Sequence, residues 1–289
     1  MKRTLSLLMA VLMLTAVVLT GCSSGGTTSG AASSDASSAS SEAESESSAA
    51  EENDLLAQIK EKGTITVAME GTWAPWTYHD AEDNLVGYDV EVAQNIAEKL
   101  GVEVNFVEGE WDGLLAGLDA GRFDLMINGV DRTPEREKAF DFSDPYVFNR
   151  TAVIVREDNR SIASLADLRG RTTANTISST YAQLAEANGA KVLGVDDLQQ
   201  TFELLMSGRI DATLNAEVAF FDYKRVHPEA KVRIAALAPD VTAVAIPLKK
   251  GGDSDAMRTA VNDALKSLRD SGELSELSKR FFGGDITKP

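Results

Sequence analysis

A short pattern that occurs twice limits what this chain can fold into. Gly121-Arg122-Phe123-Asp124 and Gly208-Arg209-Ile210-Asp211 each follow a helical stretch, each open a strand, and each reach an Asn four residues beyond the Asp, at Asn128 and Asn215. Around both copies short apolar runs alternate with amphipathic stretches, the pattern of an α/β protein with mostly parallel sheet. It predicts helices over 54–62, 89–100 and 112–120 with strands over 64–69, 102–107 and 123–128. Later in the chain it predicts strands over 172–176, 192–195 and 210–214 with helices over 180–188 and 197–207. Gly63, Gly101 and Gly121 stand where the first three helices end, as a left-handed terminal residue requires. Two similar lobes follow. Ligands of open parallel sheets sit beyond the carboxyl ends of strands, which places Asn128 and Asn215 at a functional edge. A strand-like run over 242–248 and helices over 254–270 and 273–282 come after the second lobe and need a sheet to cover. The chain is therefore expected to cross between lobes near Phe148 and return near Ala243, a two-strand hinge that implies closure around something in the cleft.

The first 53 residues are of another kind. Lys2 and Arg3 precede an apolar run over 5–19, the make-up of a signal peptide and too short for a comfortable membrane span. The run ends Leu19-Thr20-Gly21-Cys22, which resembles the bacterial lipobox, whose Cys is acylated and becomes the mature N-terminus. Residues 23–53 are Ser, Ala, Gly, Thr and acid with no large apolar side chain, so they cannot bury a core. Such a tether reaches on the order of 30 Å. A signal peptide over 1–21 and a lipid-anchored tether over 22–53 are thus expected, on the extracytoplasmic face of the cell membrane. The formal charge of −17 excludes a nucleic-acid binder, and the single Cys excludes an intrachain disulfide.

The chemistry is concentrated in Asn128-Gly129-Val130-Asp131-Arg132-Thr133-Pro134-Glu135-Arg136. Thr133 followed by Pro134 reads as an N-cap with Pro in the first helical position, which leaves free N–H groups near Arg136. A guanidinium grips a carboxylate with two parallel hydrogen bonds, so Arg136 is the candidate anion clamp. Trp73 and Trp111 follow strands and are expected as apolar walls of a cleft, while Trp76 is expected in packing; Tyr78 and Tyr146 stay open. His79 and His227 stand apart, so neither a metal cluster nor a Ser-His-Asp arrangement is visible, and no glycine-rich phosphate loop occurs. No cofactor is expected. Paired carboxylates could be built from Glu70, Asp131 and Glu217, which leaves acid-base chemistry open.

Gly87-Tyr88-Asp89-Val90-Glu91-Val92-Ala93, Trp111-Asp112-Gly113-Leu114-Leu115, the first Gly-Arg-Phe-Asp copy, Thr133-Pro134-Glu135-Arg136 and Asp141-Phe142-Ser143-Asp144-Pro145-Tyr146 occur in this order. Together they closely resemble the family 3 extracellular solute-binding proteins, amino-acid receptors of ABC importers, across 54–284. The resemblance implies a two-lobed periplasmic-binding-protein-like fold of type II, with lobe one over 54–147 and 246–289 and lobe two over 148–245. It implies a monomer that captures a free amino acid and hands it to permease membrane subunits without chemistry. In this reading Arg136 clamps the ligand α-carboxylate, aided by backbone N–H near Ser179 and Thr180. Trp73 and Trp111 enclose the side chain, the Gly129 carbonyl accepts the α-ammonium, and Glu70 and Thr176 contact the side chain. Two positions depart from the family: Ala216 stands where an Asp commonly meets the ammonium, and Asp131 where Ser or Thr is common. Asp131 is expected to supply the missing charge, with Glu217 as its rival. Asp-Ala-Thr-Leu-Asn over 211–215 points to cystine or a polar amino acid, the three carboxylates to a cationic one. The alternatives are an enzyme on the same scaffold, such as a periplasmic cyclic-acid dehydratase, and a receptor feeding a signalling partner.

Overall fold

The computed structural model describes residues 54–289. The expected signal peptide, Cys22 and the 23–53 tether lie outside the described residues. Helix α1 (Leu55–Lys62) begins at Asp54, whose carboxylate accepts from the Leu56 N–H at 2.9 Å, and ends at left-handed Gly63. Strand β1 (Thr64–Met69) follows directly. It is the centre of a parallel three-stranded sheet, between β5 (Glu103–Glu108) and β6 (Leu125–Met126), with Thr64 opposite Glu103 and Val67 opposite Leu125. Between β1 and β5 a small antiparallel sheet of β2 (Thr72–Trp73), β3 (Thr77–His79) and β4 (Leu85–Val86) precedes α2 (Tyr88–Leu100). Helix α3 (Trp111–Asp119) connects β5 to β6. Both faces of β1 are covered: Ile65, Val67 and Met69 join one apolar cluster and Ala68 joins another with Met126 and Trp111. Each fully buried Ile or Leu in these clusters contributes about 1.5–3 kcal/mol.

The regular part of β6 is shorter than the 123–128 expected, yet its ladder is longer than its label. Asp124 N–H donates to Thr66 O and Ile127 N–H to Ala68 O. Beyond Ile127 the backbone turns through Gly129 at φ +57°. The one-turn helix α4 (Arg136–Ala139) starts later than the Thr133-Pro134 pair predicts, although Thr133 Oγ1 still accepts from the Arg136 N–H at 3.2 Å.

Strand β7 (Phe140–Phe142) leads into β8 (Val147–Arg156) and the second sheet, whose order is β10-β9-β11-β8-β12. Strands β9 (Thr172–Asn175), β10 (Lys191–Gly194) and β11 (Ala212–Ala216) are parallel, joined by α5 (Thr180–Ala187) and α6 (Leu198–Met206). Helix α7 (Glu217–Val226) follows β11, and β12 (Val232–Val244) returns antiparallel to β8. The sheet is mixed because its last two strands are the two long passes of the chain, paired from Val232 opposite Arg156 to Val244 opposite Val147. Register shifts in β12 between Ile234 and Ala236 and between Leu237 and Val241 bend this ribbon. Strand β13 (Pro247–Lys249) then pairs with β7, and α8 (Asp255–Ser271) and α9 (Glu273–Phe282) pack on α1 and α2.

The internal repeat has a structural meaning. Asp124 donates its N–H to Thr66 O at 3.0 Å and accepts the Thr66 N–H on its carboxylate at 2.7 Å. Asp211 treats Thr172 identically, at 2.8 and 2.9 Å. Each copy therefore pins the start of one strand to its neighbour, and the Asn four residues on falls at the carboxyl edge. No described helix is long and apolar enough to cross a membrane.

Candidate functional site

The carboxyl ends of the parallel strands of both sheets face one cavity of about 590 Å³, its mouth included. Glu70 follows β1, Gly129 and Asp131 follow β6, Asn175 ends β9 with Thr176 just beyond it, and Asn215 lies near the end of β11. Trp73, Trp111 and Arg136 line it from the first lobe, and Ser179 and Thr180 at the start of α5 line it from the second. The N-cap Ser179 accepts from the Ala182 N–H at 3.1 Å, so the first turn of α5 presents its amide end here. Of the residues predicted for the site, Asn128 and Glu217 fall outside the lining. Asn128 is fully buried one layer behind: its Oδ1 accepts from the Glu70 N–H at 2.8 Å and its Nδ2 donates to Glu70 Oε2 at 2.7 Å. Glu217 opens α7, because the chain turns into helix as soon as β11 ends, leaving Asn215 as the last lining residue of that segment.

Arg136 donates through Nη1 to the Asp131 carbonyl at 3.0 Å and lies 5.1 Å over the Trp111 ring, while its Nη2 is buried without a partner. Burial holds its pKa below the ordinary arginine value, against the opposing charge of Asp131. Asp131 is 5% exposed; its Oδ2 accepts from the Thr180 hydroxyl of the other lobe and its Oδ1 is buried without a partner. Burial pushes its pKa up, opposed by the Thr180 bond and by Arg136. Burial also raises Glu70, to about 7, against the Asn128 bond, with Asp112 adding to the rise.

Gly129 belongs at its place for steric reasons. A Cβ there would stand 2.5 Å from the Trp73 ring. Its N–H donates to Oδ2 of the fully buried Asp89 at 2.5 Å, and Tyr146 donates to Oδ1 at 2.8 Å, so Tyr146 belongs to the packing behind the site. Burial raises Asp89 to about 7 although both bonds favour its charged form. Trp76 is fully buried and stacks on Trp73 with centroids 5.3 Å apart. Three side-chain bonds join the lobes: Trp73 Nε1 to Asn215 Oδ1 at 3.1 Å, Ser178 to Asp112, and Thr180 to Asp131.

Sequence reasoning missed Thr72, Asn175, Tyr181, Asp196, Asp197, Leu198 and Thr201, which complete the lining. The strand-end rule that selected Asn128 and Asn215 also applies to Asn175, and Asp197 was visible as an N-cap: it accepts from the Gln200 N–H at 2.7 Å. Among the described residues no group of three or more His, Cys, Asp and Glu could hold a metal ion.

The model of the bacterial extracellular solute-binding proteins, family 3, matches residues 65–284. The chain is 41% identical over 240 residues to the L-cystine-binding protein TcyA of Bacillus subtilis, a match covering 83% of this chain and 88% of that protein. It is 42% identical to the L-cystine solute receptor of Neisseria gonorrhoeae in the unliganded open conformation, with a TM-score of 0.57 over 82% of this chain and 100% of that one. To an ancestral arginine-binding protein bound to arginine it is 34% identical, with a TM-score of 0.72 over 76% of this chain and 99% of that one. The gonococcal receptor is in an open conformation, whereas here side-chain bonds join the lobes.

Proposed function

We propose that this chain, which belongs to the bacterial extracellular solute-binding proteins of family 3, closes its lobes on L-cystine or a related polar amino acid and delivers it to an ABC permease. One observation carries the reading. Arg136 Nη2 and Asp131 Oδ1 are both buried and both unpartnered, on residues that line one cavity. A buried donor and a buried acceptor of opposite charge, each left open, are complementary to a small zwitterion, whose carboxylate meets the guanidinium and whose ammonium meets the carboxylate. Ser179 and Thr180 at the start of α5 bring further amide donors toward the carboxylate, and Trp73 and Trp111 flank the side chain. Cystine comes first because TcyA and the gonococcal receptor are named for it. The chain binds and releases its ligand unchanged; its named relatives are binding proteins.

The same reading assigns lobe one to 54–147 and 246–289, lobe two to 148–245, and the hinge to the β8–β12 ribbon. It takes 1–21 as a signal peptide and Cys22 as the acylated anchor of the 23–53 tether. The body then works as a monomer on the extracytoplasmic face. Incorporation of labelled palmitate that is lost in Cys22→Ala is the expected result for the anchor.

Thermal shift of the purified protein against the twenty amino acids, cystine and ornithine tests the ligand. A binder at 100 times its Kd adds about 2.7 kcal/mol to the native state and raises the melting temperature. Arg136→Lys, which keeps the charge but loses the fork, is expected to cost roughly 100-fold in affinity by calorimetry. Failure of every amino acid to bind, or an Arg136→Lys variant that binds as tightly, sinks the receptor reading.

A further inference from the structure

Four pocket atoms are buried without a partner: two donors, Arg136 Nη2 and Trp111 Nε1, and two acceptors, Asp131 Oδ1 and Asn175 Oδ1. Three of them are on the first lobe and are answered by one carboxylate and one ammonium. Asn175 is on the second lobe, where β9 ends, and is 4% exposed. Its Nδ2 donates to Leu214 O at 2.6 Å, which fixes the amide and leaves Oδ1 as the open atom. The charge around the cavity is also unequal: Glu70, Asp131, Asp196 and Asp197 stand against Arg136 alone. Asp197 is engaged in capping α6. Asp196 beside it is exposed.

We propose that Asn175 and Asp196 form a distal subsite on lobe two for a second cationic group, an ammonium or guanidinium carried on the ligand's side chain. An ammonium brings three donors and no acceptor into a region that offers acceptors and negative charge. A ligand with an apolar tail leaves Asn175 Oδ1 open, so the subsite selects against it. The selection is made on the lobe opposite Arg136 and Asp131, and closure therefore reads the tail. This rests on the receptor reading, with Arg136 and Asp131 holding the head.

Calorimetry on the full chain compares L-cystine and L-arginine, which carry a second cation, with S-methyl-L-cysteine, which has the head alone. The quantity read is the affinity of the tighter two-cation ligand divided by that of S-methyl-L-cysteine. Asn175→Ala is expected to lower this ratio roughly tenfold. Asp196→Asn, at an exposed position that cannot upset the core, is expected to lower it about threefold. A cooperative melt shows that each variant is folded. A ratio within about twofold of the wild type in either variant, or a wild type that binds S-methyl-L-cysteine as tightly as the others, overturns the subsite and leaves the receptor reading standing. A wild type that binds none of the three overturns both.

Discussion

At the scale of single residues the site is a set of buried groups whose partners are missing, and Asp131 is the most informative of them. Its carboxylate holds Thr180 with one oxygen and keeps the other free. Asp131→Asn removes the charge but keeps the shape, so amino-acid affinity is expected to fall roughly 100-fold, because the ammonium is then buried against a neutral amide. Glu217→Gln, outside the lining, is expected to change affinity by less than about twofold. Calorimetry giving the reverse order would move the ammonium site to α7. Asp89 makes a different prediction, on stability. Its pKa is raised to about 7 by burial, so between pH 4 and 7 the native state holds a proton that the unfolded chain has lost. The stability this provides is complete below the ordinary carboxylate value and is lost as pH rises through about 7. Glu70, also raised to about 7, acts in the same sense. The denaturant midpoint is therefore expected to fall from pH 5 to pH 8, and Asp89→Asn to flatten that slope. A midpoint that rises over this range contradicts the burial argument. Arg136 was legible in the sequence because it follows the Thr133-Pro134 helix start, and Asp131 because it departs from the family's Ser or Thr. Asp89 was not, since nothing local says that its carboxylate holds the Gly129 amide 40 positions away.

Elements that obey a local rule were legible, and those fixed by distant pairing were not. Strand β1 and helix α9 have the limits their patterns predict, because a Gly stop or an abrupt change of period bounds each. Strand β8 was missed because Ala152 to Val155 are buried without interruption, so no alternation marks it, and its partner β12 lies some 80 residues downstream with two register shifts. Helix α7 was missed for a similar reason: its buried residues Val218, Ala219 and Phe220 are consecutive rather than spaced at a helical period. The duplicated motif was read correctly as a repeat, but its Asp looked like a strand-opening residue, and its bond to the neighbouring strand needs the sheet to exist. That bond gives a prediction for the element. Asp124→Ala and Asp211→Ala each strip the acceptor from a strand N–H, at Thr66 and Thr172, and each is expected to cost about 1–3 kcal/mol. They stand in different sheets with no shared partner, so the double variant should lose the sum within about 0.5 kcal/mol. A sub-additive double variant in chemical denaturation would mean that the two sheets do not behave as separate copies of one device.

For the whole molecule the question is what keeps the lobes together. Trp73 with Asn215, Ser178 with Asp112 and Thr180 with Asp131 span the cleft, and the Trp73 ring meets Tyr181 edge-on at 6.4 Å. Each such bond contributes about 0.5–3 kcal/mol net of water, the two to carboxylates at the upper end, so the three together offset only part of the cost of burying Arg136 and Asp131 with open valences. A ligand that fills those first-lobe valences and also meets Asn175 or the start of α5 touches both lobes, which is the condition for it to drive closure. The bent β8–β12 ribbon is the place where that motion can occur without breaking either sheet. X-ray scattering of the ligand-free protein is therefore expected to give a larger radius of gyration than the saturated complex. Trp73→Phe keeps an aromatic wall but loses the bond to Asn215, and it is expected to weaken binding about fivefold, mainly through faster dissociation in stopped flow. If saturating ligand leaves the scattering curve unchanged while calorimetry shows binding, the three cross-lobe bonds suffice to hold the cleft shut. Entry must then depend on a transient opening rather than on a stable open state.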